Sequence, residues 1–411
     1  MTDVYAPTEP GSDALLEMLR RRLQVAIENE LAKVPVYLYT YYSTTCRAPE
    51  RATGDEQTAD YTPVGVYVSR AQTRLMSVVV EKLLQVSLLG SILHAAGGEL
   101  GFYRRTPPTF PVRTLGHGGR QMVELGLSSF SYAQLRAFIE VELGAGEDTG
   151  HYAQIRRILG AAHFRDAHFR FAGTRPELSA EVAEAMHGAF PGTPDGNAGL
   201  SELPTVSTKD AALSILELVR ARGQNPNSSR SHYQILLSLL SELEGYAEDA
   251  SLESWPHKPP PATRQFDAEA LAKVMGRFPT NPKRRDYPRE YADLLELCGS
   301  LFQYMLLVIE ANLVVPGESG KYYFNRALVP AMCWMLDELT QVLRARSLDD
   351  TGVTLAPTFE YIERGSRREA YGNLVALAQR VEGQFPELEP VIAYITGRAP
   401  NTQVPDVSKV F

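Results

Sequence analysis

The sequence predicts an all-α protein: a helix bundle with additional C-terminal helices and long irregular connections. Three observations lead there. Apolar residues recur at helical spacing in each long apolar segment. No region is rich in strand signals, and no repeat of fixed period or low-complexity block is present. The stretches between the helical segments are long and rich in Pro, Gly and Ser, which in a compact protein points to a site or an interface.

Residues 1–12 read as a loose N-terminal arm. Asp13 can cap a helix whose stripe is Leu16, Leu19, Leu23, Ile27 and Val34, with Glu30 on that stripe and Glu28 off it. Pro35 is expected to kink or end this helix. The tyrosine-dense run Tyr37–Ser43 is expected to pack on the core, although its phenols, Tyr37 first, are candidates to line a pocket. A polar loop is expected at 46–68. The apolar run from Leu75 to Ala96 is the centre of the chain. Val78, Lys82, Gln85 and Leu89 share one stripe, with Glu81 and Ile92 at its edge, and apolar residues cover the other sides. A helix that is apolar all round is buried, so its charges need partners. Gly97-Gly98 should stop it.

Residues 99–120 read as irregular. A third helix starts near Ser131 and ends before Gly144; a fourth opens around Asp148-Thr149 and holds His151 and Tyr152. Residues 173–207 are Pro/Gly/Ser-rich with a short helical piece at Ala180–His187. Helices follow at Thr208–Arg222 and from His232. The expected organisation is a bundle over 13–250, a Pro-rich connection over 251–290, C-terminal helices packed on the bundle over 291–398 and a tail over 399–411. The three C-terminal helices are placed at Tyr291–Ala311, Ala327–Arg346 and Arg368–Phe385.

The 411 residues are 44% hydrophobic and 22% charged, enough for a sizeable core. A net charge of -8 argues against nucleic acid or an anionic membrane as partner. Cys46, Cys298 and Cys333 are odd in number and far apart, which suits a reducing cytoplasm. Glu81 and Lys82 argue against a membrane span in the central run. No nucleotide-binding or hydrolase motif occurs. The one Glu-x-x-His, Glu184 to His187, lies in the Pro/Gly-rich insert and reads as coincidence; His163 and His168 read as structural.

A carboxylate-bridged dimetal site in a four-helix bundle takes a Glu from each of two helices and a Glu-x-x-His from each of the other two. Glu30 and the central helix fit that plan in outline. Asn29-Glu30-Leu31-Ala32-Lys33-Val34-Pro35-Val36-Tyr37-Leu38, the central helix with Ala96-Gly97-Gly98, Phe138-Ile139-Glu140, Gly150-His151-Tyr152, Arg222-Gly223-Gln224-Asn225, Ser231-His232-Tyr233 and Thr354 to Glu360 occur in the order of similar motifs in one known family. The chain resembles the ferritin-like, violacein-type iminophenyl-pyruvate dimer synthase family. That resemblance implies a ferritin-like bundle, secondary metabolism and substrates derived from aromatic amino acids.

The departures from the family pattern bear on the chemistry. Where the family has Glu-Glu-Met-Leu-His, this chain has Glu81-Lys82-Leu83-Leu84-Gln85. Gln224 stands for a further acid, Ser229 precedes His232 by three residues, and Gly150 or His151 stands for the third-helix acid. Of the ligand set the resemblance implies, Glu30 and His232 remain. An ammonium repels divalent ions, so Lys82 is expected to take the metal's electrostatic role by pairing with Glu30 and Glu81. At roughly 4 Å and an effective dielectric of 20, each such contact is worth about 4 kcal/mol before desolvation.

The resulting expectation is a biosynthetic enzyme with a degenerate diiron site. It would act on a reactive aromatic or amino-acid-derived intermediate by cyclisation, condensation or rearrangement. Glu30, Lys82, His151 and His232 are the candidate catalytic residues; Tyr37, Glu81, Gln85, Gln224 and Tyr233 are the candidate pocket residues. No cofactor is expected. Two competing readings are an iron-dependent oxidase or oxygenase, whose reduced metal site would fall to Glu30, Glu81, His151 and His232, and a non-catalytic partner subunit of a biosynthetic complex. The expected partners are a small aromatic substrate and either a second copy of the chain or a biosynthetic partner enzyme.

Overall fold

The computed structural model describes residues 12–44, 63–105, 109–116, 121–143, 150–169, 206–224, 231–244, 275–315, 322–348, 350, 352–363, 365–399 and 403–411. The expectations for the N-terminal arm up to residue 11, for Glu184 to His187, for Ser229 and for 251–274 lie outside the described residues.

Among the described residues the fold is all-α with one small hairpin. Helix α1 (Ser12–Tyr42) and α2 (Pro63–Ala95) are long partners packed along each other. Of the two outcomes expected at Pro35, an end of the helix does not occur: α1 runs on to Tyr42. The proline removes one backbone donor from the helix ladder, but Leu31, Val34, Val36 and Leu38 around it are all buried, and that burial holds the turn. Tyr37, Tyr39 and Tyr42 therefore belong to α1 and enter the core. Helix α2 starts at Pro63, inside the stretch expected to be a loop. It ends as expected: the Gly97 N–H bonds to the His94 carbonyl and the Gly98 N–H to the Leu93 carbonyl, both at 2.8 Å. Gly97 takes φ 72°, the left-handed conformation that closes such a helix end.

A short α3 (Phe102–Arg105) precedes an antiparallel hairpin of β1 (Val112–Gly116) and β2 (Gln121–Leu125), registered Thr114 to Val123. The region was expected to be irregular. Its strands are only five residues each, too short for alternation to stand out. Helices α4 (Tyr132–Glu142), α5 (Gly150–Leu159), α6 (Lys209–Gln224) and α7 (His232–Glu244) complete the first part of the fold. Ser131 caps α4 by accepting from the Gln134 N–H. Helix α4 packs on α7, α5 on α1 and α6, and α6 on α2.

Helix α8 (Ala292–Val314) is buried almost throughout and packs on α3 and α2. Two π-helical turns, Phe324–Leu328 and Ala331–Met335, lead into α9 (Leu336–Arg344). Helices α10 (Ala370–Glu382) and α11 (Glu389–Thr396) follow, the second of them unanticipated. The last residues were expected to form a free tail. Instead Val404 and Val407 are buried, and the Tyr304 hydroxyl donates to the Pro405 carbonyl. Among the described residues two helical stretches, Tyr67–Ala95 and Arg289–Val314, are long and apolar enough to cross a membrane by length and composition. In each, 94% of the most apolar window is buried inside the protein, as in a core helix.

Candidate functional site

Four helices bring charged side chains to one point in the bundle, and a fifth adds a phenol. Helix α1 supplies Glu30, Lys33 and Tyr37, which lie on one face at spacings of three and four residues. Helix α2 supplies Glu81, Lys82 and Gln85. Helix α4 supplies Glu142, its last residue; α5 supplies Tyr152; and α7 supplies His232, its first.

Lys82 is the centre. Its Nζ donates to Glu142 Oε2 at 2.7 Å and to Glu30 Oε2 at 2.9 Å. The other oxygen of Glu30 accepts from Lys33 Nζ at 3.1 Å and from the Tyr152 hydroxyl at 3.0 Å. The other oxygen of Glu142 accepts from the Tyr37 hydroxyl at 3.0 Å. His232 lies between two acids, with Nδ1 3.3 Å from Glu142 Oε2 and Nε2 2.9 Å from Glu81 Oε2. Both ring nitrogens can donate only in the imidazolium form. Three carboxylates then face two ammoniums and one imidazolium, and these six charges sum to zero.

Burial sharpens the electrostatics. Lys82 is 1% exposed, Glu142 1%, His232 0%, Glu30 4% and Lys33 4%. Glu81 differs: its side chain keeps 24% of its exposure. Burial pushes the Glu30 carboxyl up, but the Lys33 and Lys82 ammoniums outweigh it and hold the group at about 2. Glu142 is likewise held well below the usual carboxylate range, with burial opposed by Lys82, Lys33 and the His232 hydrogen bond. Lys82 is raised, because Glu142 and Glu30 outweigh its own desolvation. His232 is raised too: burial and Lys82 push it down, while its bonds to Glu142 and Glu81 push it up.

Two placements run against helix polarity. An acid at the C-terminal end of a helix and a cation at an N-terminal end are each disfavoured by the macrodipole. Glu142 and His232 occupy those positions and compensate each other by direct contact.

The sequence expectations fare unevenly here. Glu30, Lys82 and His232 come together. Lys82 pairs with Glu142, not with Glu81, because Glu81 turns toward His232. Tyr37 is fully buried, and its phenol donates to Glu142. The third helix does place an acid in the interior: Glu142, at the end of α4, joins Lys82 and His232. His151 does not join the charges by hydrogen bonding. Its Nδ1 has no hydrogen-bond partner, and the contact from α5 to Glu30 is made by Tyr152. Gln85 donates to the Val219 carbonyl at 3.2 Å and its Oε1 is left without a partner. Tyr233 is buried with its hydroxyl unpartnered. Gln224 closes α6, and its side chain lies outside the described residues. His163 is exposed, and His168 Nδ1 accepts from the Arg165 N–H beside Phe164, a structural role. Lys33, Glu142 and Tyr152 were missed. Glu142 carried a readable signal: it continues the α4 stripe of Leu135, Phe138 and Ile139 as Glu30 continues that of α1.

A bundle of this plan raises the question of a dimetal centre. The donor set does not fit one. Every oxygen of Glu30 and Glu142 already accepts from an ammonium, a phenol or an imidazole, and both nitrogens of His232 face carboxylates. A divalent ion would need those oxygens at metal-bond length, about 2.0–2.2 Å, beside an ammonium already within hydrogen-bond distance of both acids.

No curated protein and no solved structure matches the chain. The pattern that defines the family described as Ferritin-like matches residues 23–240, from α1 to α7 and so across every helix that contributes to the charge cluster. With its all-α bundle and its inward-facing acids on α1 and α4, the chain belongs to the ferritin-like family.

Proposed function

We propose that this ferritin-like protein is a biosynthetic enzyme of secondary metabolism that rearranges, cyclises or condenses a reactive aromatic or amino-acid-derived intermediate by acid–base and electrostatic catalysis. One observation carries the reading: an unbroken chain of charged contacts runs from the partly exposed Glu81 through the buried His232 and Glu142 to Lys82 and Glu30. The resemblance of the α1, α2 and α7 motifs to the violacein-type synthase family supports the substrate class.

In this reading Glu81 and His232 are the working pair. Glu81, the exposed member, takes a proton from the substrate as its carboxylate. His232, held as an imidazolium, returns one to the product. No electron is transferred, and the proton count closes over the cycle. Glu142 fixes the imidazole, and Lys82 keeps Glu142 and Glu30 ionised in a place where an unpaired carboxylate would not be. His151 and Tyr233 lend buried polar groups that a bound substrate can satisfy.

The test uses imines and enamines of aromatic 2-oxo acids, supplied to the chelator-treated protein without oxygen. The expected result is an isomer, or a dimer formed with loss of water or ammonia only, seen by mass spectrometry and lost in Glu81→Gln. Products that need oxygen, gain an oxygen atom or lose hydrogen would overturn the reading. The complete pairing of Glu30 and Glu142 favours one other role, a non-catalytic partner subunit in which the cluster only holds the bundle together. No turnover of any such probe, with stable binding to a biosynthetic enzyme, is its expected outcome.

A further inference from the structure

We propose that the Lys82 ammonium is a built-in substitute for a metal ion, occupying the point where the carboxylates of α1 and α4 converge, and that two exchanges on α2 would restore metal binding. Two observations meet here. First, Lys82 Nζ bridges Glu30 and Glu142 at 2.9 and 2.7 Å, the arrangement in which one cation joins two acids from facing helices. Second, Gln85 stands three residues on, 2% exposed, with its Oε1 buried and unpartnered. Residues three apart on a helix share a face, so positions 82 and 85 present two groups to the same interior. Acid and histidine at that spacing are a metal-ligand pair in carboxylate-bridged bundles. Lysine and glutamine in their place put a fixed charge where a divalent ion would sit and an amide where an imidazole would bind it.

The inference concerns what holds the cluster together, and it stands whether or not the proposed chemistry is correct. It predicts that the wild-type chain keeps no iron after incubation with Fe(II) and desalting, and that its melting temperature is the same with chelator as with excess Mn(II). It further predicts that Lys82→Glu combined with Gln85→His gains an affinity for Co(II). The gain, read from ligand-field absorption, should be at least about 10–100-fold over wild type, the range associated with one supporting group of a metal site. Adding Lys33→Met should raise it again, because Lys33 would otherwise repel the ion.

Retention of stoichiometric iron by the wild type, or a rise in its melting temperature with Mn(II), would overturn the substitution model. A folded double variant with wild-type Co(II) affinity would overturn the placement of positions 82 and 85 as a ligand pair. Should the double variant not fold, the wild-type iron and melting measurements decide alone. An inactive wild type that keeps no metal would sink the enzymatic reading and leave this inference intact.

Discussion

Two buried acids in this protein have opposite fates. Glu30, in the bundle, is ionised far below the ordinary carboxylate range. Glu310, on α8, is fully buried as well, yet its carboxyl is pushed up. Burial acts on both in the same direction. The difference is in the partners. Glu30 faces two buried ammoniums and accepts a phenol hydrogen bond. Glu310 has backbone N–H groups from Tyr103, at 2.6 Å, and Phe102, and one guanidinium, Arg367, which is a quarter exposed and shared with the Leu100 carbonyl and the Phe411 ring. One partly solvated cation does not outweigh desolvation; two dry ones do. The fold thus contains a charge cluster that is balanced and an acid that is only accommodated.

The largest effect expected from breaking this contrast is on Lys82. Lys82→Met leaves two buried carboxylates without their bridge and should destabilise the fold by about 3–5 kcal/mol in a denaturant titration. A variant as stable as the parent would remove the ion-pair account of the cluster. Glu142→Gln should follow, at about 2–3 kcal/mol, since it strips His232 and Lys82 of one charged acceptor each. At the other acid, Glu310→Gln keeps an acceptor for the Tyr103 N–H and removes a charge that burial disfavours, so its loss should stay within about 1 kcal/mol.

The pH dependence should separate the two acids further. Glu30 has a lowered folded value, so its contribution is present above its unfolded value of 4.5 and fades as the pH falls toward about 2. Glu310 has a raised folded value, so its ionisation penalises the fold above that value and the penalty lifts as the pH falls toward 4.5. Comparing the unfolding midpoint of wild type and Glu310→Gln between pH 7 and 4 should show the gap closing as the acid is protonated. The smallest expected effect is on the alkaline side. The raised value of His232 gives stability that is complete below its unfolded value of 6.5 and is lost as the pH rises through the folded one. His232→Gln should flatten that slope, and the imidazole resonances in NMR should titrate above 6.5.

Much of this was legible in the sequence for a physical reason. Glu30 stands out because an acid on an apolar helix stripe has no inexpensive alternative to a partner. Lys82 stands out by the same logic on a helix that is apolar all round. The all-α class follows from periodicity, and the end of α2 from Gly97-Gly98. Glu142 obeyed the rule that revealed Glu30, but the motif resemblance drew attention to Glu140 and Gly150 on either side of it. Lys33 and Tyr152 could not be placed without knowing which faces of α1 and α5 meet. Pro35 does not mark the helix end because the burial of its neighbours outweighs its intrinsic preference. The hairpin at 112–125 has strands too short to stand out, and the packing of residues 403–411 depends on tertiary contacts that no local pattern encodes.

The neutrality of the six-charge cluster also constrains how such a sequence can change over time. Any single charge-changing exchange at Glu30, Lys33, Lys82, Glu142 or His232 leaves an uncompensated charge in a dry interior, so such drift must be compensated elsewhere in the cluster. Among relatives of this chain, an acid at the position of Lys82 should therefore travel with neutral residues at both Glu30 and Glu142, and a neutral residue at Glu142 with a neutral residue at Lys82 or His232. The cluster would then be visible as a group of positions that vary together or not at all.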